Sequence, residues 1–180
     1  LHTHSINIAD SKLIIISLPV IFDVANYILK FCASSLLTDY HSNVLVNYHP
    51  SLKLGTFNNI NTLKKNYKFI FSEKSFRELI VEAGLVISNI SSACVESLAF
   101  GVSVIILQRG NAINQNPIPN TIDKNIWDEC DNEVDFNTAF KRLYIEKNID
   151  ERSNVAKLVR KEFFEQVDSK SVNRFLGLHI

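Results

Sequence analysis

Two polar clusters in this chain each follow an apolar run: His49 and Pro50 close VLVNYHPS (44–51), and Ser88, Asn89, Ser91, Ser92 and Glu96 fall within VISNISSACVESLAFG (86–101). An apolar run that stops at small polar residues is the signature of a buried strand leaving a sheet, where it can deliver side chains to a ligand. In the second cluster the chain passes from strand to helix through Asn89, Ser91 and Ser92. Hydroxyls, backbone N–H groups and the positive end of a helix dipole then converge, a setting suited to a phosphate. Glu96 follows Ser92 by four residues, one turn further along the same side of the helix. There a carboxylate can accept hydrogen bonds from two vicinal hydroxyls, such as those of a ribose. The plain structural alternative makes Ser91 or Ser92 an ordinary N-cap, Glu96 a solvated surface residue and His49 a loop histidine without a ligand. His2, His4, His41 and His179 have no metal-ligand spacing.

Strands and helices in alternation are needed to present these residues. KLIIISLPV (12–20) reads as a buried strand closed by Pro19, and 23–37 as a helix with Val24, Ile28, Phe31 and Leu36 near helical spacing. The run 44–48 is a second strand, ended at His49 and Pro50 because proline cannot donate to a sheet ladder. Residues 53–65, with Gly55 and several asparagines, read as a loop or a poorly formed helix, and 67–72 as a third strand. SFRELIVEAG (75–84) has a Ser75 cap, Glu78 three residues on and Gly84 as a stop, which predicts a short helix. Strand, helix and strand follow over 85–90, 91–100 and 102–107. A long loop over 111–125 carries Pro117 and Pro119, and amphipathic helices are expected over 136–145 and 151–167. Doubly buried strands alternating with helices predict an α/β fold, a Rossmann-like doubly wound parallel sheet.

Composition narrows the function classes. The chain has 180 residues, 46% of them hydrophobic, enough for one substantial core. Nineteen basic and nineteen acidic side chains cancel, so no nucleic-acid partner is expected. Cys32, Cys94 and Cys130 form no CxxC pair and are odd in number, which argues against a disulfide framework or a zinc site and for a reducing, cytoplasmic setting. No apolar stretch approaches the roughly 20 residues of a transmembrane segment, and no signal peptide opens the chain. Any membrane association is expected through a lipid-linked acceptor or a partner. The five glycines, at 55, 84, 101, 110 and 177, build no GxGxxG, P-loop or GxSxG motif, so no dinucleotide or other cofactor is expected. The chain begins with Leu1 and contains no Met, and is expected to be part of a longer protein.

A strand ending in NYHPS, a helical segment and then VISNISSACVESLAFGVSVIIL (86–107) resemble the C-terminal, nucleotide-binding half of GT-B glycosyltransferases, in particular bacterial surface-carbohydrate enzymes. Sialyl- and polysialyltransferases, Kdo transferases of capsule and lipopolysaccharide assembly, and CDP-glycerol polymerases of teichoic acid synthesis are similar at these two elements. The resemblance covers roughly 12–107, with a weaker echo in the C-terminal helices. It departs at Ser103, where a small or proline residue is usual. It implies that His49 contacts the donor phosphate or leaving nucleotide and is catalytic, and that Pro50 fixes the turn. Ser91 and Ser92 would hold phosphate oxygens and Glu96 the ribose, with Ser88 and Asn89 completing the donor site. The implied donor is a nucleotide-sugar, a CMP-linked acidic sugar favoured, and the acceptor a carbohydrate or a lipid-linked one.

No second α/β half is visible in the sequence. Residues 1–11 are therefore expected to be the remnant of an interdomain linker and 12–150 the Rossmann-like nucleotide-sugar-binding domain. Residues 151–180 are expected to be helices packing toward an N-terminal domain that supplies the general base. Two alternatives share the fold: an enzyme resembling UDP-GlcNAc 2-epimerases, whose usual glycine after the serine is missing from NISSACVE, and a non-catalytic interaction domain.

Overall fold

The first strand, β1 (Leu13–Leu18), is apolar on both faces but for Ser17, and only a central position in a covered sheet can bury such a segment. In this computed structural model, which describes residues 13–35, 44–48, 51–52, 69–109, 116–146 and 148–164, that is where it lies. Six parallel strands run in the order β3-β2-β1-β4-β5-β6: β2 is Val44–Tyr48, β3 Ile70–Ser72, β4 Ala83–Ser88, β5 Ser103–Leu107 and β6 Trp127–Cys130. The helices are α1 (Phe22–Ser34), α2 (Phe76–Ile80), α3 (Ser92–Ala99), α4 (Glu133–Phe140) and α5 (Ile149–Phe163). A π-helical turn, Lys141–Ile145, continues α4, and a short 3₁₀ turn, Lys124–Ile126, leads into β6.

Successive strand residues point to opposite faces. Ile14, Ile16, Val46, Leu85, Ile87 and Ile105 pack under α1 and α4, where Ile28, Leu29, Phe136 and Phe140 meet them. On the other face, Ile15 and Val86 pack on Leu79 and Ile80 of α2, and Val104, Ile106 and Trp127 on Cys94 and Leu98 of α3 and Val155 and Val159 of α5. Helix α5 is fastened to α3 by polar contact as well, Arg160 Nε donating to Ala99 O at 2.5 Å. The result is a three-layer α/β sheet of the Rossmann-like, doubly wound kind, as the alternation predicts.

Local differences from the sequence reading have physical causes. Gly84 does not stop α2. That helix ends at Ile80, because Ala83 already pairs with Leu13 and draws the chain into β4, with Gly84 inside the strand. Gly101, at φ 75°, is the one described glycine that uses its freedom from a side chain, turning the chain from α3 into β5. Strand β6 has no apolar run to announce it: Asp128 and Glu129 occupy its middle, tolerable because it is an edge strand with Trp127 and Cys130 buried at its ends. Helix α4 starts at Glu133, three residues before the predicted helix, because the Asn132 side chain caps it by accepting from Asp135 N. The 53–65 segment lies outside the described residues. Among the described residues no helix is long and apolar enough to cross a membrane.

Candidate functional site

In the strand order the chain moves outward from β1 through β2 to β3, then restarts at β4 on the other side and moves outward through β5 to β6. At such a reversal the connections leave the sheet in opposite directions, and a crevice opens beyond the carboxyl ends of the two central strands. A cleft of about 620 Å³ lies there. Its floor is Ser17 and Leu18 at the end of β1, one wall is Asn47 and Tyr48 at the end of β2, and the opposite wall is Ser91, Ser92 and Glu96 at the start of α3. The β3–α2 turn, with Glu73, Lys74 and Phe76, completes it.

The SNISS stretch divides its work. Ser88 is fully buried and its Oγ donates to Ser17 O at 2.8 Å, tying the end of β4 to β1. Asn89 is buried too, its Nδ2 donating to Leu107 O at the end of β5 and its carbonyl accepting from Cys94 Sγ at 3.4 Å. Neither residue is among those that line the cleft. Buried polar groups must be paired, and here the pairing sets the mutual position of three strand ends. Ser91 is the N-cap of α3 in extended conformation, its Oγ accepting from Ala93 N at 3.2 Å. The capping alternative therefore holds for Ser91, which nonetheless lines the cleft. Ser92, the first helical residue, is exposed on the cleft wall.

Glu96 projects from the same wall with its side chain 20% exposed, and its Oε1 accepts from Arg77 Nε at 2.8 Å. Arg77 belongs to α2, so this ion pair links α2 to α3 at the cleft mouth. With Arg77 77% exposed, it orients the carboxylate more than it stabilises the fold. Sequence reading missed Arg77, since a partner nineteen residues away on another helix leaves no spacing signal. The β3–α2 turn is held by Asn47 Nδ2 donating to Lys74 O at 2.9 Å, and α2 by a capping box in which Glu78 N donates to Ser75 Oγ at 3.4 Å and Ser75 N to Glu78 Oε2 at 2.8 Å, with Ser75 Oγ also donating to Glu78 Oε2 at 2.6 Å. The Ser75 hydroxyl and then its backbone N–H hold the Glu78 carboxyl below its ordinary range. Burial, followed by the Glu73 carboxylate, pushes the Tyr48 phenol up, so it stays a neutral hydroxyl at the cleft edge. His49 and Pro50 lie outside the described residues; Asn47 and Tyr48, which precede them, line the cleft.

The positive contributions to this cleft are Lys74 and the N-terminus of α3, and the negative ones are Glu73 and Glu96. Such an arrangement can seat an anion against the helix start and hydroxyls against a carboxylate. Thiol chemistry is not on offer: Cys94, in the first turn of α3, is buried and burial pushes its thiol up to about 12. Among the described residues no three His, Cys, Asp or Glu side chains gather to hold a metal ion.

Among solved structures, a starch synthase IV catalytic domain from Arabidopsis thaliana, bound to ADP and acarbose, superposes with a TM-score of 0.52 at 12% identity over 92% of this chain and 37% of that one. The catalytic domain of a cholesterol-α-glucosyltransferase from Helicobacter pylori gives 0.50 at 15% identity, over 83% of this chain and 99% of that one. A variant of the wall teichoic acid polymerase TagF gives 0.50 at 13% identity, over 96% and 44%. The fold is that of glycosyltransferase catalytic domains. The chain thus spans less than half of the starch synthase domain and of the polymerase. No protein-family model matches it, and no curated protein does.

Proposed function

We propose that this chain is the donor-binding half of a glycosyltransferase, taking a sugar from a nucleotide-activated donor, a CMP-linked acidic sugar favoured, for transfer to a carbohydrate or lipid-linked acceptor of a surface polysaccharide. One observation carries the reading: the cleft at the reversal of strand order has the α3 start, with Ser91 and Ser92, and the Glu96 carboxylate on a single wall. A starch synthase domain of the same fold has been seen with ADP, which supports a nucleotide as the ligand class. The cytidine preference rests on the resemblance of NYHPS and NISSACVE to CMP-sugar transferases.

In such a transfer the bond between the anomeric carbon and a phosphate oxygen breaks and its electron pair leaves on the nucleotide. The acceptor hydroxyl forms the new bond while its proton passes to a base. Negative charge grows on the departing phosphate, so fixed donors aimed there lower the barrier. The α3 N–H groups, the Ser92 hydroxyl and a protonated His49 supply them in this proposal, with Pro50 fixing the turn that presents His49. Glu96, steadied by Arg77, accepts from the ribose hydroxyls. The base comes from a facing N-terminal domain, with 1–11 as the linker to it. Orientation of acceptor, base and donor can be worth roughly 7–11 kcal/mol of barrier, so the chain alone binds nucleotide and transfers nothing.

A second reading keeps the cleft and changes the donor. The resemblance of NYHPS and VISNISSACVESLAFG to CDP-glycerol polymerases favours a CDP-linked polyol, which would present the same cytidine. Calorimetric titration of CMP, CDP and UMP decides between them by rank order. If no nucleotide binds at millimolar concentration, the donor-site reading fails; if the chain alone transfers sugar, the facing-domain part fails.

A further inference from the structure

The opposite end of the sheet holds a second, smaller cavity, of about 180 Å³. Ser103, the first residue of β5, lines it together with Asn125, Arg142 and Leu143, and the start of α5 closes it with Asn148, Glu151 and Arg152. Arg152 is an unusual wall: only 1% of it is exposed, and among the described residues it has no carboxylate partner. Its Nη2 donates to Leu143 O at 2.7 Å and to Gly84 O at 3.2 Å, while the buried Nη1 has no hydrogen-bond partner.

A buried guanidinium without a counter-charge is costly, and an unsatisfied buried donor in a native fold points to a water or ion at the site. Neighbouring charges do not provide the missing acceptor. Arg142 is paired with Asp128 at 2.8 Å and also donates to Lys124 O and Asn125 O, and Glu146 is paired with Lys141 at 3.7 Å. A second attraction for an anion comes from α5 itself. Its fifteen-residue dipole has its positive end here, with Asn148 as the cap accepting from Glu151 N. The carboxylates of Glu146 and Glu151 also line the cavity and oppose an anion, an opposition that Arg152 and the helix start must outweigh.

We propose that this cavity binds a small oxyanion of the carboxylate or phosphate class, held by Arg152 and the N-terminal turn of α5. The site is independent of the cleft at the other end of the sheet, and its occupant completes the hydrogen bonding that joins α5 to β4 and to the π-helical turn. Ser103, where the sequence departs from the usual small or proline residue of similar enzymes, puts a hydroxyl-bearing side chain on the cavity wall.

The test uses the full chain carrying Ser91→Ala and Ser92→Ala, so that binding in the larger cleft is weakened. Inorganic phosphate and, separately, acetate are titrated against sodium chloride at matched ionic strength, with amide resonances read residue by residue. Saturable shifts are expected at Asn148, Ile149, Asp150, Glu151 and Arg152 with at least one of the two oxyanions, together with a raised Tm. The responding anion identifies the class. Arg152→Lys should weaken that binding roughly ten- to a hundred-fold, the loss of the charge-assisted contact from Nη1. Should that variant not fold, the positions of the shifts in the Arg152 chain still decide. Shifts that match chloride, fail to saturate or stay within residues 88–96 would overturn the proposal.

Discussion

The carboxyl ends of β5 and β6 carry much the same inventory of polar side chains as the carboxyl ends of β1 and β4, yet the two regions differ in what those groups face. Beyond β5 and β6, Glu129 accepts from Gln108 Nε2 and from Asn116 Nδ2, the latter at 2.7 Å, and Lys124 Nζ lies 3.5 Å away. Tyr27 donates to Gln108 O at 2.8 Å. Residues 116–126, which lead into β6, bury Ile118 and Ile122, and the carboxylate is satisfied from within. At the ends of β1, β2 and β4, Ser88, Asn89 and Asn47 donate to the chain's own carbonyls, while Ser91, Ser92 and Glu96, the last steadied by Arg77, line an open cleft. Strand order, more than polarity, makes the difference: where connections diverge, a crevice opens and polar side chains line it.

Five variants probe this contrast. The largest effect is expected for Ser91→Ala with Ser92→Ala. Nucleotide affinity should fall by about 1.5–3 kcal/mol, the value of hydrogen bonds to a charged group, against a stability loss of only about 1 kcal/mol for the cap. Calorimetry and urea unfolding on the same variant separate the two, and lost stability with unchanged affinity would leave Ser91 and Ser92 as capping residues. Asn89→Ala should reverse the pattern. It removes the buried partner of Leu107 O and should cost about 1–3 kcal/mol of stability in urea unfolding, while any folded fraction keeps its nucleotide affinity within a few fold.

Glu129→Gln probes the satisfied end. Losing a carboxylate shared by an amide pair and Lys124 should lower stability by about 0.5–1.5 kcal/mol with no change in nucleotide binding. A parallel loss of affinity would mean that the two ends are not separate. The smallest effect is expected at the Glu96–Arg77 pair. Arg77→Ala should change stability by less than about 1 kcal/mol, because the pair is largely exposed. Glu96→Gln should narrow the preference for CMP over 2′-deoxy-CMP, measured by competition, and an unchanged preference removes Glu96 from the ribose site.

How much of this was legible in the sequence depended on whether the signal was local. Strands β1, β4 and β5 announce themselves because a doubly buried strand must be apolar throughout, and Ser75 with Glu78 announces α2 because a capping box spans three residues. The α3 start was readable for the same reason. Strand β6 was not, since Trp127 and Cys130 bury through partners brought together only by the fold. Nor did sequence separate Ser88 and Asn89 from Ser91 and Ser92. All four are small and polar, and only the strand ends at Ser17 and Leu107 show which pair turns inward. The Arg77–Glu96 link and the unpaired Arg152 Nη1 are likewise products of packing.

Titrating CMP into the isotope-labelled chain and following every assigned amide tests whether a nucleotide binds where the strand order reverses. Saturable shifts are expected at Ser17, Leu18, Asn47, Tyr48 and from Ile90 to Glu96, with Gln108 and Glu129 unmoved. Shifts centred on Gln108, Asn116 and Glu129, or none anywhere at millimolar CMP, CDP and UMP, would contradict that placement.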